Sequence, residues 1–247
     1  IVADGVDQLV RANHRCDWTI DNGKSVGTDK RQIVPLKSSL RLKSNLCSFA
    51  GAFASETGLD WDMEPNNDVG GGRIKLVLGE YTREIHSSVM AALASAKNRP
   101  IDALFCVSGE SSAPSRGFPQ KLTSWGASIW DGTISKERDD YPRDVDQHRI
   151  VKYESCRGLE GWSVVCLDLD RFFDRKYQEG LLEDRSLLES PEEAAQRFAA
   201  RWCLIPFTRA IDTLVLQMSP KSRLAKTLLP LALLSPDFVE VIGSAQS

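Results

Sequence analysis

The chain has 247 residues, 42% of them hydrophobic and 26% charged, with a formal net charge of −3. This is an ordinary globular balance, with enough chain for one or two domains, and it excludes a protein that grips nucleic acid by bulk positive charge. No apolar run nears the roughly 20 residues that span a bilayer, since the best, 228–234, is short and contains Pro230.

The chain opens on Ile1 with no initiator Met and no secretory signal, which predicts a fragment or a processed product. Residues 1–27 read as the stub of a preceding domain, and 28–247 as one α/β domain. Along that domain short apolar runs alternate with amphipathic stretches. Strands are expected at 33–36, 74–78, 101–107, 127–130, 149–153, 162–167, 213–218 and 238–242. Helices are expected at 43–56, 82–97, 118–125, 170–179, 191–203 and 220–229. The alternation predicts one parallel sheet with helices on both faces. The helix at 191 has the clearest start, with Ser190 as cap, Pro191 in first position and Glu193 three residues after the cap. Residues 60–72, 109–118 and 135–146 read as exposed connections.

The six cysteines are scattered without a C-x-x-C pair, and Cys106 and Cys166 sit inside apolar strand runs. That pattern suits free thiols in a reducing, cytoplasmic setting. With only His14, His86 and His148, far apart in sequence, no metal centre is expected. One basic stretch, Lys30, Arg31, Lys37, Arg41 and Lys43, has no acid between Asp29 and Glu56, and by itself reads as a solvated face.

Nucleotide loops fail on their own terms. A phosphate-binding loop needs G-x-x-x-x-G-K-[ST] so that successive N–H groups can wrap the phosphates. Gly23-Lys24-Ser25 supplies the last three positions, but Trp18 stands where the first Gly belongs. Gly70-Gly71-Gly72 leads into a strand, whereas a dinucleotide loop leaves one.

Three other segments carry more. Arg157-Gly158-Leu159-Glu160 lies in what reads as a tight loop between the strands at 149–153 and 162–167. There Gly158 tolerates positive φ and Glu160 can accept hydrogen bonds from ribose hydroxyls. Thr208-Arg209-Ala210 follows a helix, where an Arg either reaches a phosphate across an interface or satisfies helix carbonyls. The run from Leu36 to Arg41 places an Arg just before a helix.

In this order the three resemble the UvrD/Rep family of superfamily 1 DNA helicases. Leu36 through Arg41 is similar to its motif IV, L-x-x-N-Y-R, with Ser39 and Leu40 replacing Asn and Tyr. Arg157-Gly158-Leu159-Glu160 is similar to K-G-L-E of motif V, and Ile205 through Ala210 to V-A-x-T-R-A of motif VI. Upstream, Asp4-Gly5-Val6-Asp7-Gln8 resembles the G-D-x-x-Q of motif III with one residue added.

The resemblance implies a RecA-like second motor domain at 28–247, belonging to the P-loop NTPase fold family but without its phosphate loop. Residues 1–27 would be the remnant of the first domain. Arg41 and Arg209 would reach the γ-phosphate of ATP, Gln8 would sense it, and Gly158 and Glu160 would lie at the nucleotide, Glu160 at the ribose. Lys152 and Ser155 would touch single-stranded DNA, although Lys152 and Glu154 stand where the family has Thr and His. The aromatic residues that follow motif III in the family are absent, and Trp18 is either a stacking platform or a packing residue. The stretch 109–146 leaves no room for the large subdomain found in bigger relatives. ATP and Mg2+ would be bound only with the N-terminal motor domain as partner, and this chain alone is expected to be inactive. The alternative is a non-enzymatic RecA-like module for nucleic acid or protein. A small-molecule enzyme is disfavoured by the lack of a glycine fingerprint.

Overall fold

The computed structural model describes residues 39, 41–66, 68–138, 140–183 and 190–243. The stub at 1–27, with Gln8 and Trp18, and the strand expected at 33–36 lie outside them. The helices are α1 (Ser44–Glu56), α2 (Arg83–Ser95), α3 (Phe118–Ser124), α4 (Ser135–Arg138), α5 (Leu169–Leu181), α6 (Pro191–Phe207) and α7 (Arg223–Leu233). The strands are β1 (Arg73–Leu78), β2 (Ala103–Val107), β3 (Ser128–Asp131), β4 (Gln147–Lys152), β5 (Gly161–Cys166), β6 (Ala210–Met218) and β7 (Val239–Ile242). They form one sheet in the order β3-β4-β2-β5-β6-β1-β7, with every pair parallel. This is the α/β arrangement expected, a parallel sheet between two layers of helices.

Strand chemistry follows from that sandwich. All five residues of β2, Ala-Leu-Phe-Cys-Val, are buried, because a strand covered on both faces has no solvent side to populate with polar residues. Its side chains still alternate. Leu104 and Cys106 join Ile74, Leu76, Val164, Cys166, Leu214 and Leu216 beneath α1, α5, α6 and α7. Ala103, Phe105 and Val107 join Val165 and Val215 on the opposite face beneath α2 and α3.

Several boundaries differ from the sequence reading. Helix α6 runs four residues past 203, through Pro206, and β6 starts at Ala210, three residues before the expected 213. A short turn of helix, α4, sits inside the charged connection at 135–146. The larger correction concerns residues 153–160. Strands β4 and β5 are not neighbours, since β2 lies between them. The segment is therefore no tight loop at one sheet edge; it crosses a face of the sheet from the carboxyl end of β4 to the amino end of β5. Its packing shows the route: the Tyr153 hydroxyl donates to the Leu167 carbonyl at 2.8 Å, its ring stacks on Phe172 at 4.3 Å, and Cys156 is wholly buried.

Candidate functional site

The amino ends of β5 and β6 meet the start of α1, and the sequence-derived arginines collect there. Ser39 Oγ accepts from the backbone N–H groups of Arg41 (3.3 Å) and Leu42 (2.9 Å). Ser39 stands where the resembling motif has Asn, and both side chains suit such local bonds to backbone. The following helix is anchored by carbonyls: the N–H groups of Ser44 and Asn45 donate to Val69 and Gly71. The carbonyls of Val69 and Gly71, in and just before the glycine run, thus cap α1. Gly72, at φ +99, also lets the chain pass close to Leu46, whose Cγ a Cβ there would meet at 2.9 Å.

Held this way, Arg41 donates from Nη2 to the Thr208 carbonyl at 2.9 Å and places Nη1 3.4 Å from the Glu160 carboxylate. Thr208 ends α6, its hydroxyl donating back to Leu204 and Ile205 at 3.0 Å each. Arg209 follows. Its Nε donates to the Ile205 carbonyl at 3.1 Å and its Nη2 to the Thr208 hydroxyl at 3.2 Å. Only 5% of Arg209 is exposed. Burial, and next to it the positive charge of Arg41, push its pKa below the ordinary arginine value. In this state, then, Arg209 satisfies helix carbonyls, and two guanidinium groups share the neighbourhood of one threonine.

Two further residues complete the cluster, Arg149, which was not singled out beforehand, and Lys43, which was named only within the basic stretch. Arg149, on β4, donates from Nη2 to the backbone carbonyl of Glu160 at 2.6 Å. Burial lowers its pKa, partly offset by Asp102. Lys43 pairs with Asp212 and lies over the Trp162 ring at 4.9 Å. Among the described residues, Glu160 lies beside Arg41 and acts on Arg209, Asp102 acts on Arg149, and Asp212 holds Lys43. The Glu160 side chain is 58% exposed. Sequence contained one hint of Arg149, an arginine directly before the apolar pair Ile150-Val151, but not its target.

Gly158 has φ +78 with open space around it, so a left-handed backbone, not crowding, asks for glycine there. Gly161 is the crowded one: a Cβ would meet Ser163 O at 2.8 Å and Asp102 O at 3.1 Å.

Lys152 and Ser155 are elsewhere. Lys152 pairs with Val107 at the carboxyl end of β2, whereas Ser163, near the cluster, pairs with Ala103 at the amino end. At the carboxyl end Arg175 is bound to Glu110, Glu154 and Glu179, and Lys176 to Glu179 at 2.6 Å. Burial works to raise the Glu154 pKa, but the Arg175 bond and charge, a backbone hydrogen bond and the Lys176 charge together outweigh it, and the group is held below the usual carboxylate range. Among the described residues no group of three or more His, Cys, Asp or Glu side chains could hold a metal ion, and no helix is long and apolar enough to cross a membrane.

Comparison with protein-family models and with curated proteins finds no match. Among solved structures, the chain is similar to the C-terminal domain of a possible DNA helicase from Lactobacillus plantarum WCFS1. The match has 14% identity and a TM-score of 0.45 over 83% of this chain and all of the other. A likeness that distant carries no assignment.

Proposed function

We propose that this chain is the second motor domain of an ATP-dependent DNA helicase or translocase of the UvrD/Rep type, completing a nucleotide site built mainly on another domain. The observation that supports it is the convergence of Arg41 and Arg209 on Thr208, with Glu160 alongside. Arg41 is 119 residues from Glu160 and 167 from Thr208 in sequence, and only folding brings these groups together. The cluster suits a polyphosphate: the Arg41 and Arg209 guanidinium groups lie together, and a carboxylate already stands on Arg41 as an anion. Arg41 and Arg209 would hold the terminal phosphate and stabilise negative charge as it redistributes, as an arginine finger does. Glu160 would take the ribose, and Gln8 would report on the phosphate from the first domain. ATP bound there supplies the phosphoryl group whose hydrolysis drives motion, with Mg2+ and the phosphate loop held by the N-terminal motor domain. Single-stranded DNA would run past the carboxyl end of β4 at Lys152 and Ser155.

The test is steady-state ATPase of the full-length protein with and without single-stranded DNA. Arg209→Ala is expected to lower stimulated turnover by about 10²-fold or more. Thermal stability should fall only slightly, since capping helix carbonyls is worth about 1 kcal/mol. Wild-type turnover by a normally folded Arg209→Ala protein sinks the finger role, whereas no turnover by the wild-type full-length protein leaves a non-enzymatic binding module.

A further inference from the structure

Glu160 is pinned through its backbone from two sides. Its carbonyl accepts from Arg149 Nη2 at 2.6 Å, and the next N–H, that of Gly161, donates to the Arg209 carbonyl at 3.0 Å. Gly161 lies so close to the start of β2 that it has no room for a side chain, which fixes the chain on that side. Just upstream, Gly158 sits in the left-handed region with open space around it, inside a turn closed by the Leu159 N–H donating to the Cys156 carbonyl at 3.1 Å. Arg149 reaches the carbonyl from β4, two strands away across β2. It can do so because strand alternation puts it on the same face as Val151, the face that the crossover covers, while Ile150 points to the other.

We propose that Arg149 is a positioning residue. By holding the Glu160 carbonyl, it keeps the Glu160 carboxylate on Arg41 as a tethered anion that an incoming phosphoryl group must displace. The inference rests on the phosphate-binding reading of Arg41 and deepens it, because the carboxylate paired with Arg41 becomes part of the site. Glu160 is more than half exposed, so the Arg41 pair is weak enough to be broken by a multivalent anion. Without Arg149 the carbonyl is released, the glycine upstream lets the segment swing, and the carboxylate no longer stays at Arg41.

Inorganic tripolyphosphate titrated into this chain at low ionic strength, followed by 31P NMR, tests the inference through a double-mutant cycle. Glu160→Gln is expected to bind about two- to fivefold more tightly than wild type, the range of an exposed ion pair. In an Arg149→Met background the same Glu160→Gln change should have a ratio near one. Loss of the Arg149 charge weakens both members of that comparison alike, so the ratio isolates positioning from attraction. A purely structural Arg149 would shift the melting temperature and leave the ratio unchanged. Arg149→Lys, which keeps charge and a donor, should restore the difference. Where Arg149→Met does not fold, Arg149→Gln, whose amide stops short of the carbonyl, takes its place. A Glu160→Gln gain of equal size with and without Arg149, or no gain at all, overturns the inference while the phosphate reading stands. Equal binding by wild type and Arg41→Met, or no saturable binding by wild type or Glu160→Gln, overturns both.

Discussion

His86 and His148 face each other on the α2 side of the sheet with ring centroids 5.2 Å apart, each nearly closed to solvent. Burial lowers both pKa values, that of His86 to about 4, with His148 adding to the effect. The neighbours facing His86 are Tyr81, Phe105 and Trp125, the Tyr81 hydroxyl lying 3.5 Å from Nδ1. A folded-state pKa below the ordinary 6.5 means that the unfolded chain binds more protons between pH 6.5 and 4. The stability tied to neutral His86 is therefore complete above pH 6.5 and is lost progressively as the pH falls towards 4. Urea midpoints at pH 7.5 and pH 5 should show the loss, and His86→Phe should flatten the profile. Identical pH dependence in variant and wild type would show that the proton uptake lies elsewhere.

Helices α5 and α6 make the closest helix pair, and Gly180 explains why. A glycine inside a helix costs about 1 kcal/mol relative to alanine, so local propensity argues against it. Its reason is tertiary: a Cβ at 180 would meet Ala195 Cα at 3.0 Å and Phe198 Cδ1 at 3.1 Å. Backbone cannot yield there as a flexible side chain could. Gly180→Leu should therefore destabilise the protein by about 1–3 kcal/mol, the usual scale of overpacking, despite its better helix propensity. A chemical denaturation midpoint at or above wild type would mean the two helices can separate without loss. The same pair carries the candidate site, because α6 ends at Thr208 and delivers Arg209 directly to β6.

At the scale of the molecule, the sheet separates two sets of groups. The arginine cluster lies at the amino ends of β5 and β6, and Lys152 and Ser155 at the carboxyl end of β4. The separation is about 20 Å, the rise of a six-residue strand. Two cores, one on each face, make the central strands β2, β5 and β6 the best shielded, while β3 and β7 are four-residue edges. Hydrogen exchange followed by mass spectrometry should show β3 and β7 exchanging first, through local opening. Strands β2 and β5 should exchange only with global unfolding. Equal protection across all seven strands would contradict this layering.

Residue order alone determined the α/β class, seven of the eight expected strands to within a few residues, and every long helix. Those features rest on periodicity, turn residues and caps such as Ser190, which accepts from the Glu193 N–H as expected. These are local signals, and local signals survive in sequence. The strand expected at 33–36 falls outside the described residues. Sequence also singled out Arg41, Gly158, Glu160 and Arg209, through resemblance to motifs. It misread the path of 153–160, because which strands are neighbours is settled by long-range packing: nothing in that stretch announces that β2 will lie between β4 and β5. For the same reason Arg149 stayed hidden. Its partner is a backbone carbonyl eleven residues on, brought within reach only when the crossover folds back over β2. The pairing of Arg41 with Glu160 likewise joins residues 119 apart, a contact that the packed sheet alone could decide.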